Sequence, residues 1–144
     1  MATYTTAQMS AAGVPAAATS SAGTPGPVIL DYYFDGSKKA IAAADFITLF
    51  DIPTYSAFIV DAANITVIKA GTATATIDLG IAGTDITGLT AYDAATVGTA
   101  TKLATAANTI ATTSSASSLT AQVNTAGLGT GIFRIRVFGT LVTA

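Results

Sequence analysis

From Asp45 to Gly80 the chain is dense in β-branched and aromatic residues, which suit a pleated, half-buried surface, and the other segments are arranged around this stretch. In its last part Ala73, Ala75, Ile77 and Leu79 are apolar, while Thr72, Thr74, Thr76 and Asp78 are polar. A period of two sustained this far predicts a strand with one face in a core and the other in water. Upstream, Phe46 and Phe50 fall on one face of a first strand and Ile47 and Leu49 on the other, so both of its faces are apolar. Ala57 to Lys69 is long for one strand, and Asp61-Ala62-Ala63-Asn64 in its middle predicts a bend or bulge. Pro53 and Lys69-Ala70-Gly71 mark the turns. The stretch reads as roughly three or four antiparallel strands.

The same reading extends in both directions. Val28 to Phe34 is a strand closed by the turn residues Asp35-Gly36-Ser37. Lys38 to Ala44 is the one place where helix competes, because Ser37 can cap it and alanine is the best helix former. The return to strand formers at Phe46 favours a single turn or a loop there. Gly80 to Gly98, rich in Gly and Asp, predicts a long surface loop with at most an edge strand. Thr99 to Ala106 predicts a short strand around Leu103, and Asn108 to Ser117 a polar connection. Ser118 to Thr125 alternates with Leu119, Ala121 and Val123 inward. Gly127 to Gly131 reads as a hairpin loop leading into Ile132 to Phe138. There Phe133, Ile135 and Val137 share one face, with Arg134, Arg136 and Phe138 on the other, and Leu141-Val142 continues the strand. About seven or eight strands with turns between them, and no helix long enough for a βαβ unit, predict an all-β fold. Of the two ways to close such a fold, an antiparallel two-sheet sandwich in jelly-roll topology is the expectation.

Residues 1–27 stand apart. They hold Ala, Ser, Thr, Gly and Pro without a charged side chain, and the prolines and glycines of residues 23–27 exclude helix or central strand. An extended N-terminal arm followed by a β-sandwich domain over 28–144 is the expected organisation. A disordered terminus is the competing one. Lack of charge, together with Tyr4, Met9 and Val14, favours a docked arm.

Composition narrows the chemistry. Of 144 residues only 10% are charged, the formal charge is −2, and every acid is Asp rather than Glu. Asp favours turns and Glu favours helices, which independently supports an all-β chain. Six basic residues are too few for nucleic-acid binding by phosphate neutralisation. No apolar run reaches the length of a membrane helix, and no early charge precedes an apolar core as in a signal peptide. Without His or Cys the usual nucleophile–base pairs cannot be built, and zinc lacks a ligand set. Ser37-Lys38 are adjacent in a turn, which is poor geometry for a Ser–Lys pair. Paired carboxylates for glycoside chemistry would need the aromatic sugar platforms that a chain without Trp is poorly equipped to supply. Asp31, Asp35, Asp85 and Asp93 lack the spacing of a calcium loop. Gly127-Leu128-Gly129-Thr130-Gly131 precedes a strand rather than the helix that a phosphate loop requires. No catalytic residue, cofactor or metal is expected.

Phe46, Phe50 and Phe138 lie on second faces that a sandwich does not bury internally. A loop, the arm or another subunit must cover them. The succession from Asp45 through Ile52-Pro53, then a long apolar strand, then Thr/Ala alternation into Ile77-Asp78-Leu79-Gly80, resembles the jelly-roll capsid decoration or cement proteins of tailed bacteriophages. The resemblance runs from about Val28 to the last strand. It implies a non-enzymatic virion protein on the capsid surface: a homotrimer whose partner is the major capsid protein, bridging neighbouring capsomers, with the N-terminal segment adding contacts. The partner-binding residues expected on this basis are Tyr4, Met9, Val14, Pro25, Pro27, Phe46, Phe50 and Phe138. A carbohydrate- or receptor-binding β-sandwich of a fibre or surface protein is the alternative.

Overall fold

A computed structural model describes residues 3–4, 16–18, 26–106 and 108–143, and these contain strands and loops but no helix. In chain order the strands are β1 (Thr3–Tyr4), β2 (Ala16–Ala18), β3 (Gly26–Asp35), β4 (Phe46–Ile52), β5 (Ser56–Lys69) and β6 (Thr76–Ile81). They continue with β7 (Thr84–Asp85), β8 (Tyr92–Asp93), β9 (Gly98–Leu103), β10 (Thr109–Ala111), β11 (Ser117–Asn124) and β12 (Ile132–Thr143). One sheet has the order β1-β4-β11-β6-β7, with β8 also on β6. The other has the order β10-β5-β12-β3-β2, with β9 also on β5. All pairings are antiparallel except β1 on β4. The pairs nest, β3 with β12, β4 with β11, β5 with β9 and β10, β6 with β7 and β8, which is the expected jelly-roll connectivity.

Alternation places the core between the sheets. Leu30, Tyr32 and Phe34 of β3 and Phe133, Ile135 and Val137 of β12 face Ile77 and Leu79 of β6 and Leu119, Ala121 and Val123 of β11, all buried. β5 shifts register against β12 twice, leaving Ile68 unopposed near its end and Asp61 unopposed in its middle, where the parity of the inward residues changes. Ser56, Phe58 and Val60 point inward, Asp61 is unopposed, and then Ala63, Ile65 and Val67 point inward. The bend expected within 61–64 is this bulge, and Asp61, exposed there, is its extra residue. Opposite it, Gly139 leaves no room for a side chain. A Cβ there would stand 2.5 Å from the Ile59 carbonyl oxygen and 2.8 Å from Phe58 Cζ.

A further bulge corrects one expectation. Along β4, Thr48 opposes Thr120 and Phe50 opposes Leu119, so Leu49 is the inserted residue. Phe50 therefore leaves the face of Phe46 and turns to the core side, where its ring meets Phe58 edge-on at 5.2 Å. The carbonyl of bulged Leu49 accepts a hydrogen bond from the buried Tyr32 hydroxyl of the opposite sheet. The reverse link also exists, because the Tyr92 hydroxyl donates to the Ala63 carbonyl at 3.0 Å, two residues beyond the β5 bulge.

Four other segments depart from expectation. Ala73 is exposed in a turn with Thr74 at φ 70°, so the alternation begins before the strand does. The 80–98 segment is more than a surface loop, since Ile86, Leu89, Tyr92 and Ala94 are fully buried and close one end of the core. The polar 108–117 connection contains β10, anchored by buried Ile110. Residues 125–131 form a crossing between sheets and no hairpin, because β11 and β12 belong to different sheets. Buried Leu128 pins this crossing by donating its N–H to the Ile41 carbonyl, which also draws Ile41 into the core and keeps residues 38–44 a loop. Pro27 sits one residue into β3, where β12 is its neighbour through Thr140 and β2 reaches only Leu30 to Tyr32. A proline is tolerated at such a strand start.

Two substitutions check this account by thermal or denaturant unfolding. Deleting Asp61 removes the bulge and leaves β5 alternating without a break from Ser56 to Val67, so the chain should still fold cooperatively at a cost below about 2 kcal/mol, and Asp61→Asn should change stability by less than about 0.5 kcal/mol. Ala82-Gly83 forms a two-residue hairpin turn with φ of 47° and 88°, so Ala82→Asn should stabilise by about 0.5 kcal/mol.

Candidate functional site: the outer face of the second sheet

Because cross-strand partners share a face, the register defines what the β10-β5-β12-β3-β2 sheet presents outward. One row across it is Ile29, Phe138, Ala62 and Leu103. The next, toward the end of β12, is Pro27, Thr140, Ile59 and Thr109, followed by Val142, Ala57 and Ala111. Leu103 is 67% exposed, Val142 51% and Ile29 41%, while Phe138 is half-buried between its neighbours. A single acid, Asp61 in the bulge, interrupts this half between Ile59 and Ala62.

In the other direction the face becomes polar. The following rows are Asp31, Arg136, Asn64 and Thr101, then Tyr33, Arg134, Thr66 and Thr99. Asp31 is only 8% exposed although it points outward. Arg134 covers it with two hydrogen bonds, Nε to Oδ1 at 2.8 Å and an NH2 nitrogen to Oδ2 at 2.5 Å, and Arg136 Nε adds a third at 3.2 Å. The hydrogen bonds from Arg134 hold the Asp31 carboxyl below its ordinary range, against the cost of burial and helped by the charges of both arginines. Two guanidiniums around one carboxylate leave a surplus of one positive charge, on a chain whose formal charge is −2.

The structure separates the residues singled out in the sequence. Phe138 and Pro27 belong to this face. Phe46 lies on the outside of the other sheet beside the turn at Gly83, and Phe50 packs on Phe58. Tyr4 opposes Ile47 at the edge of the sheet that carries Phe46. Met9, Val14 and Pro25 lie outside the described residues. β1 and β2 extend β4 and β3 respectively, so the leading segment is paired with both sheets. Exposed Leu103, Ile29 and Val142 were passed over in the sequence, because a period-two pattern does not say which strands become neighbours.

The aspartates weighed as ligands have other occupations. Asp35 accepts from Ser37 Oγ at 2.6 Å and Ser37 N at 3.0 Å, and Asp93 accepts from Ala95 N at 2.7 Å. Asp78 accepts from Ala91 N at 2.6 Å and from the Asn124 side chain. Burial, and then the charge of Asp78, raise the Asp85 carboxyl. Among the described residues no three His, Cys, Asp or Glu side chains converge as a metal site.

The fold has counterparts among solved structures. A chain in the capsid of Ralstonia phage GP4 superposes with a TM-score of 0.55 at 16% identity, over 86% of this chain and 87% of that one. Chains of the acid-stable capsid of Helicobacter pylori bacteriophage KHP30 (TM-score 0.49, 18% identity, 90% and 99% covered) and of the cyanophage Pam1 capsid (0.49, 21%, 86% and 91%) also match. No protein-family model matches the sequence, and no curated protein matches it.

Acid titration tests the electrostatics. Asp31 is depressed in the folded state, so its ion pairs stabilise the fold above the unfolded carboxylate range and lose that effect as pH falls through the folded value. Asp31→Asn should lower the melting temperature at pH 7 and lose less than the parent on acidification below roughly pH 4. Asp85, raised in the fold, has the opposite sign and costs stability at neutral pH, so Asp85→Asn should raise the melting temperature there.

Proposed function

We propose that this chain is a structural, non-enzymatic virion protein: a cement or decoration protein on the outer surface of a phage head that bridges capsomers of the major capsid protein. The observation that carries the reading is the two-sheet fold it shares with a chain of the Ralstonia phage GP4 capsid. The small, weakly charged surface and the exposed apolar rows suit a protein that works by lying against a neighbour. Its mechanism is multivalent. The chain acts as a homotrimer, each copy makes modest contacts through outward residues such as Phe138 and Phe46, and the leading segment adds Tyr4, Met9, Val14, Pro25 and Pro27. Each contact alone is weak, and joining them raises the effective concentration of the next.

Binding to assembled shells compared with isolated coat monomers tests the proposal. Affinity for shells should exceed that for monomers by about a hundredfold or more. Equal affinity for the two overturns it. Removing residues 1–25 should leave a cooperatively folding domain, since β3 begins at Gly26, while weakening shell binding.

A further inference from the structure

The apolar half of the second sheet's outer face has a size and a charge that select its occupant. Its three rows and four strands span about 300 Å², from strand spacings near 5 Å and row spacings near 7 Å. A stable one-to-one complex buries roughly 800 Å² on each partner, so a second copy seated here would not hold by this patch alone. A repeating surface contacted at several points would. The neighbouring rows carry the positive surplus of Arg134 and Arg136, and Arg136, the looser of the two on Asp31, is 43% exposed. Only the opposite sign of charge pairs with that flank.

We infer that this outer face, centred on Phe138 and Leu103, is the surface that docks on the shell, and that it receives an apolar ridge flanked by a carboxylate that pairs with Arg136. The inference rests on the cement reading and specifies which face performs it. Asp61 adds nothing to the contact and opposes the incoming carboxylate.

The test uses the full chain and shells of the phage that encodes it, stripped of this protein. Leu103→Asp and Val142→Asp alter side chains at least half exposed, so folding is retained, as thermal melting will verify. Each should weaken shell binding about tenfold or more, while Val97→Asp, equally exposed but in the loop after β8, should change it by less than about twofold. Arg136→Gln should weaken binding about threefold and flatten its salt dependence, and Asp61→Asn should leave it equal or tighter. If the parent binds shells and Leu103→Asp binds as well, the inference fails and the cement reading stands. If the parent binds no shell, the cement reading itself fails. If sedimentation shows an association of the free chain that Leu103→Asp abolishes, a second copy is the occupant and the inference is overturned.

Discussion

A sandwich of two sheets requires every crossing strand to keep alternate side chains inside, and the rest of this fold depends on that phase being held along strands that carry extra residues. β5 spans 14 residues and β12 spans 12. Twist displaces such strands relative to their partners, and a one-residue slip would turn an entire hydrophobic set outward. Inserted residues fall at three points, Leu49 in β4 and Asp61 and Ile68 in β5. Each costs local ladder bonds, and the core stays single and continuous.

The bulge in β4 and the one in the middle of β5 are each tied to the opposite layer by a tyrosine at or near them. Tyr32 reaches the Leu49 carbonyl and Tyr92 the Ala63 carbonyl, so a buried ring fills the interlayer space while its hydroxyl finds a backbone partner. A buried hydroxyl without one would be destabilising. The two bonds also fix how the layers lie over one another. The outward rows on the second sheet are in turn a product of this phase, because Phe138 opposes Ala62 only beyond the bulge.

The alternation at Leu119–Val123 and Phe133–Val137 is legible in the residues, because the inserted residues lie in the neighbouring strands β4 and β5 and none lies within these two segments. Phe50 was misplaced for the opposite reason: a bulge is a relation between two strands, and nothing in Phe46 to Phe50 taken alone announces it. Ile86, Leu89 and Tyr92 carry no period because loops close the core there by single contacts, so the segment reads as surface. The glycines of 127–131 mark a change of direction but not its destination, and whether a turn returns to the same sheet or crosses to the other is set by the rest of the chain. The outer face of the second sheet was half visible. Phe138 and the arginines could be placed on one side of β12, whereas Leu103 and Ile29 join them only through register. For the positions outside the described residues the expectations from sequence stand as part of the proposal.

The buried tyrosines have one further consequence. The chain has no histidine or cysteine, and burial lifts the Tyr32 and Tyr92 hydroxyls further above their ordinary range. Both phenols therefore stay protonated through the neutral range and go on donating to the backbone of the facing sheet.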